Sequence, residues 1–391
     1  MNSLPIKVLT AILTFAIGVA IAGVWLTRWV DPVIDPVTVA PPAARLEIVF
    51  VLDTTGSMGA LLDGAKQRIW GIVNEVMQES HSSVRIGLVA YRDRGDEYVT
   101  KVLPLTADLD QVYTTLMDYT AMGGGDEAED VRTALAEAVH KVSWSAAAPD
   151  LAQIIFLVGD APPHNDYKNS ADTLTTATGA VRKGLIVNTI QCGSMGETTR
   201  AWKAIAASGN GQYFAIADDG GVQTVATPYD DEMGSLATRL GATFLPYGYG
   251  GGAGGAARRA EVARQAADAE GRITYAIPAA KAERAVNKVM NKEAYIGDLL
   301  QNIENGSIKL EDVNPAELPE ELKTLDPAQR GAEVEKRLEA RRGLRARILE
   351  LSKQREAFVD AERTKTNRKP EGFDVVVAKT VKEQMARKKN K

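Results

Sequence analysis

A chain of 391 residues, 45% hydrophobic and 25% charged, has room for one large domain with an extension, or for two domains. Its net charge of −5 gives no general reason to expect a nucleic-acid partner. The single cysteine, Cys192, allows no intramolecular disulfide and no cysteine-based zinc site. It ends the strand-like run 185–191, where a small buried core residue is expected.

Residues 8–26 contain no charge, a stretch of 19 residues close to the roughly 20 that span a bilayer core. Lys7 precedes it, and Arg28, Asp31 and Asp35 follow. This bias favours a cytoplasmic amino terminus with the rest of the chain exported. Two readings fit residues 1–30. One is an uncleaved single-pass anchor, with Trp25 and Trp29 at the membrane interface. The other is a signal peptide cut after Ala20-Ile21-Ala22, releasing a secreted protein. Both place the following domain outside the cytoplasm, in a periplasmic or extracellular space. Pro32, Pro36, Pro41 and Pro42 make residues 31–44 an extended tether.

Residues 46–52 form an apolar, β-branched run suited to a strand buried on both faces. Asp53-Thr54-Thr55-Gly56-Ser57-Met58 follows, turning into an amphipathic helix expected over 60–78. One carboxylate and two hydroxyls, at every second position, thus sit at the carboxyl end of a strand, the edge where open α/β sheets bind ligands. Such hard oxygen donors suit Mg²⁺, Mn²⁺ or Ca²⁺. A second strand, 84–91, ends in Arg92-Asp93, and a third is expected over 100–105. Gly123-Gly124-Gly125-Asp126-Glu127 precedes a helix starting near Ala128. Glu127, Glu129 and Asp130 read there as capping or solvated charges. The strand 154–158 ends in Gly159-Asp160-Ala161-Pro162-Pro163-His164. Three loops therefore bring Asp53, Asp126 and Asp160 toward one point, where only a cation relieves their repulsion. Strands over 185–191 and 212–217, with helices between, complete a doubly wound, mostly parallel α/β sheet across residues 45–246.

These loops resemble the von Willebrand factor type A (vWA) domain with its metal-ion-dependent adhesion site. The family pattern is Asp-x-Ser/Thr-x-Ser, a Thr on a second loop, and an Asp after a later strand. Asp53, Thr55 and Ser57 match the first element and Asp160 the last. The second-loop Thr is absent, and Asp126 stands in roughly its place. That variation resembles a subset carrying DTTGSM and GGGD, which includes vWA domains found beside alpha-type kinases. The resemblance implies Asp53, Thr55 and Ser57 as metal ligands, with Asp126 and Asp160 completing the shell directly or through water. It also implies an open coordination position filled by an Asp or Glu from a protein partner. Asp93 and His164 lie near the same edge.

Residues 247–256, rich in glycine, read as a flexible hinge. They lack the Lys and Ser/Thr of a phosphate-binding loop. Residues 257–391 read as a helical extension. Its long charged helix, expected over 328–363, carries Leu344, Ile348, Leu351 and Phe358 at heptad-like spacing. Arg341 and Arg355 interrupt that seam, which suits a hairpin with an earlier helix or a dimeric coiled coil. The lysine-rich end is either a solvated tail or a contact for anionic lipid or an acidic partner.

The function expected is a membrane-anchored binding module for adhesion or assembly, not an enzyme. A scaffold with a purely structural metal is an alternative, its C-terminal helices binding the partner. A metal-dependent hydrolase using His164 or Asp93 as base is another.

Overall fold

The structure is a computed structural model that describes residues 45–80, 83–167, 171–218, 220–221, 224–291, 297–366 and 372–389. The anchor segment 8–26 and the tether lie outside the described residues. Among the described residues, no helix is long and apolar enough to cross a membrane.

Six strands form one sheet among the described residues: β1 (Arg45–Asp53), β2 (Ser83–Tyr91), β3 (Thr100–Thr106), β4 (Leu151–Gly159), β5 (Ile186–Cys192) and β6 (Asn210–Ile216). Their order is β3-β2-β1-β4-β5-β6, with only β3 antiparallel to its neighbour. Each expected strand is found within a few residues of its expected ends. The alternation in β1 decides its two faces. Leu46, Ile48, Phe50 and Leu52 enter one core layer, Val49 and Val51 the other. Cys192 is buried and free, as expected.

The first face is covered by α1 (Gly59–Ser80) and α2 (Leu109–Asp118). The second is covered by α3 (Val131–His140), α4 (Thr173–Arg182) and α5 (Gly196–Ser208). The chain leaves β1 toward β2 on one side and returns at β4 on the other. The strand order therefore reverses at β1, which opens a crevice at the carboxyl ends of β1 and β4. Asp53 ends β1, and Asp160 directly follows β4.

Downstream lie α6 (Asp230–Gly241), α7 (Gly252–Ile273), α8 (Pro278–Met290), α9 (Leu299–Glu304), α10 (Glu320–Lys323), α11 (Pro327–Thr366) and α12 (Phe373–Lys389). Leu344, Ile348 and Leu351 of α11 are buried against Met233, Leu236 and Leu240 of α6 and Ala282, Ala285 and Val289 of α8. The heptad seam is therefore occupied within the chain, the hairpin-like alternative. The two arginines that interrupt it are ion-pair donors, Arg341 buried and Arg355 half-buried. Arg341 meets Asp298 at 2.7 Å, and Arg355 meets Asp230 at 2.8 Å.

Two parts of the extension differ from expectation. Helix α7 starts inside the glycine-rich run, at Gly252. The turn before it is pinned by Arg259, which donates to the carbonyls of Gly248 (2.7 Å) and Gly250 (3.1 Å). The lysine-rich end is α12, which lies along α1 and against β4 and β6. Its Phe373, Val377, Val381 and Met385 recur every fourth residue and join the first core layer. Crossovers from β4 to β6 place α4 and α5 on the second face, so α12 supplies the cover on the first. Gln384 and Asn188 of β5 exchange amide hydrogen bonds beneath it at 2.6 and 3.2 Å.

Candidate metal centre

Asp53 is fully buried. Its Oδ1 accepts the Thr55 backbone N–H at 2.9 Å and the Thr55 hydroxyl at 2.6 Å. The Thr55 hydroxyl also lies 3.4 Å from that of Ser57, which is solvent-exposed. Residues 56–58 form one 3₁₀ turn leading into α1, so the three side chains rise along a single turn. Asp53 Oδ2 has no hydrogen-bond partner among the described residues. Burial, opposed by the Thr55 hydrogen bonds and reinforced by the Asp160 charge, pushes the Asp53 carboxyl up to about 7. Across the crevice, Asp160 Oδ1 is likewise buried and unpartnered. Its backbone carbonyl is held by the Thr198 hydroxyl at 2.8 Å.

Close backbone approach brings the two strands' ends together. A Cβ on Gly159 would sit 2.5 Å from the Tyr91 hydroxyl and 3.1 Å from Asp53 Cβ, so only glycine fits there. The glycine-rich loop crosses the opening. Gly56 N–H donates to the Gly123 carbonyl at 3.2 Å, and Met122 N–H to that of Thr54 at 3.1 Å. Gly123 and Gly124 have φ of +82° and +87°, a conformation that favours glycine. Buried Arg92 clamps both loops, donating to the carbonyls of Thr54 at 3.2 Å and Thr120 at 2.7 Å.

Glu129, read from the sequence as a capping or solvated charge, is instead 3% exposed, and its Oε2 has no partner among the described residues. The helix N-cap is Asp130, whose side chain accepts the Thr133 N–H at 2.9 Å. Glu129 therefore precedes the helix, paired through its backbone with Pro163 beyond β4. Burial, followed by the charges of Asp53, Asp93, Asp96 and Asp160, pushes its carboxyl up to about 9. It is the glycine-rich loop's acid that feels both Asp53 and Asp160. Asp126, with a side chain 62% exposed, instead meets His164 Nε2 at 3.4 Å. Asp93 accepts the Tyr167 hydroxyl on both oxygens at 2.8 Å and lies 3.5 Å from the same imidazole nitrogen. The structure thus sets Asp53 and Asp160, joined by Glu129, along an inner crevice, and Asp126 with Asp93 and His164 in an outer group.

The inner donor set fits a hard divalent cation. Three carboxyl oxygens are unpartnered in a buried crevice beside two hydroxyls, and ionising them together is costly without a counter-charge.

The matched sequence agrees with this geometry. Residues 47–228 match the family model of the von Willebrand factor A domain. The chain is 35% identical over 135 residues to von Willebrand factor A domain-containing protein 7 of Rattus norvegicus, and 34% identical over 135 residues to that of Homo sapiens. These stretches cover 34% of this chain and 14% of either relative. Among solved structures, the chain is similar to the conserved hypothetical protein BatB from Bacteroides thetaiotaomicron. The identity is 17% and the TM-score 0.34, over 44% of this chain and 90% of that one. Residues 47–228 are a vWA domain, a fold typically used for metal-dependent protein binding or adhesion.

Proposed function

We propose that this protein is an extracytoplasmic vWA module of the DTTGSM/GGGD kind that captures a protein partner through a divalent cation. The observation that carries the reading is the set of unpartnered buried oxygens: Asp53 Oδ2, Asp160 Oδ1 and Glu129 Oε2. Asp53, Thr55 and Ser57 hold the ion, and Asp160 and Glu129 complete its shell directly or through water. Mg²⁺ suits this set, with Mn²⁺ or Ca²⁺ as alternatives. A bound divalent ion supplies a site for one more anionic oxygen, here an Asp or Glu carboxylate of the partner. The chain's own residues orient that oxygen, because the crossing glycine loop leaves the exposed Ser57 side of the crevice for its approach.

Residues 8–26 tether the module to the membrane, on the charge pattern that flanks them. Within reach of the tether, effective concentration is high, and a weak metal-bridged contact suffices. The module binds and does not turn over a substrate.

Cross-linking capture from the native cell, with Mg²⁺ or with chelator, tests this. A partner recovered with Mg²⁺ and lost both with chelator and in Asp53→Ala is the expected result. A partner retained in both places the interface on the C-terminal helices. Turnover of phosphoesters by the wild type, abolished in His164→Ala, favours the hydrolase.

A further inference from the structure

The outer group forms a constellation of its own. Asp93 follows β2, Asp126 lies in the glycine-rich loop, and His164 follows β4. One ligating atom from each lies within 4.8 Å of the others. His164 Nε2 stands 3.4 Å from Asp126 Oδ1 and 3.5 Å from Asp93 Oδ2. Its other nitrogen, Nδ1, meets Asp166 Oδ1 at 2.8 Å. A carboxylate only accepts, so Nδ1 carries the hydrogen in that contact. In the neutral ring this leaves the Nε2 lone pair facing two carboxylate oxygens. The Tyr167 hydroxyl serves Asp93, and the remaining repulsion among the three acceptors is relieved by a cation, either a proton on Nε2 or a metal ion.

Two further features favour the metal. The imidazole is backed by a carboxylate on its far nitrogen, the arrangement that orients histidine ligands. The ring is fixed before any ion arrives. It stacks on Tyr167 at 4.1 Å and 17°, its backbone N–H donates to the Glu129 carbonyl at 3.1 Å, and its side chain is 11% exposed.

We propose that Asp93, Asp126 and His164 form a second cation site, chemically distinct from the crevice. One imidazole nitrogen and two carboxylate oxygens favour Co²⁺, Zn²⁺ or Mn²⁺ over Mg²⁺. Asp166 is a positioning residue for the imidazole.

The test is a Co²⁺ titration of the full chain in excess Mg²⁺, followed by calorimetry and visible absorption. Wild type is expected to take up one Co²⁺ with a d–d band that responds to imidazole ligation. His164→Ala and His164→Asn lose that uptake, with thermal melting reported alongside to show that they fold. Asp53→Ala keeps it, and Asp166→Asn weakens it roughly 10–100-fold. Absence of Co²⁺ uptake in the wild type, or unchanged affinity in both His164 variants, overturns the proposal and leaves His164 a protonated partner of the aspartates. Uptake lost in Asp53→Ala and kept in His164→Ala assigns the Co²⁺ to the crevice. That result overturns the outer site while leaving the crevice's metal reading intact.

Discussion

The Thr55 hydroxyl donates to Asp53 Oδ1 at 2.6 Å and leaves Asp53 Oδ2 without a partner. One oxygen is anchored by its own loop, and the other is held ready in a buried crevice. Thr55→Val removes the hydroxyl while keeping the backbone N–H bond and the shape. Mg²⁺ affinity is expected to fall by at least roughly 10–100-fold, because Thr55 is both a proposed ligand and the support of Asp53. Calorimetry checks this, and an unchanged affinity assigns Thr55 to the turn alone.

Glu129 and Asp126 separate in their effects. Glu129→Gln weakens Mg²⁺ binding at the crevice, because Glu129 is the loop acid that feels Asp53 and Asp160. Asp126→Asn, on an exposed side chain, leaves that affinity within about twofold, as a screened surface charge should. The opposite ranking in paired Mg²⁺ titrations would return Asp126 to the shell.

Acid–base behaviour in chelator follows from the same carboxyls. Asp53 is raised from 3.8 to about 7 and Glu129 from 4.5 to about 9, in each case chiefly by burial. The metal-free folded state therefore holds protons that the unfolded chain has released. Their contribution to stability is complete below about pH 4 and declines as pH rises through 7 and then 9. Urea midpoints between about pH 5 and pH 9 measure it. Asp53→Asn should show a shallower decline than wild type, and saturating Mg²⁺ should flatten it. A wild-type stability that rises with pH in chelator, relative to Asp53→Asn, contradicts the burial of an uncompensated carboxyl.

The C-terminal helices are structural partners of the sheet. Arg68 on α1 pairs with Glu283 on α8 and, at 2.9 Å, with Asp374 on α12. Arg68→Ala leaves the buried Asp374 without its ion-pair partner and Glu283 with Arg355 alone, 3.5 Å away, and should cost about 3–5 kcal/mol in urea unfolding. A loss below about 1 kcal/mol is the size of an exposed pair and would mean that α8 and α12 are not held there.

Membrane topology has its own readout. A reporter fused after Lys391 is expected to be active outside the cytoplasm, with the chain sedimenting with membranes. Sequencing of the mature amino terminus distinguishes the two expectations: a start at Met1 identifies an anchor, a start at Gly23 a cleaved signal.

Much of the fold was legible because each strand is a continuous apolar run, and its loop residues stand at the carboxyl end. Asp53, Thr55, Ser57 and Asp160 could be placed from that alone. Glu129 was not, because an acid close to a helix start is the ordinary complement of the dipole. The signal that it differs is Asp130, an N-cap residue directly after it, which puts Glu129 outside the helix. The last helix was hidden by its lysines. Charge count outweighed the four-residue spacing of Phe373, Val377, Val381 and Met385, and nothing local shows that β4 to β6 lack a cover on that face. Residues 252–255 form a helix against their propensity because Arg259 holds the turn before them, a contact that spacing does not reveal.

In the proposed reading, Asp53 anchors a divalent cation in a crevice that stays folded without it. Calorimetric titration of Mg²⁺ into wild type and Asp53→Ala, with urea unfolding of both, tests it most directly. Saturable binding by wild type, none by the variant and cooperative unfolding in each are expected. Equal Mg²⁺ affinity in a folded Asp53→Ala protein would contradict it.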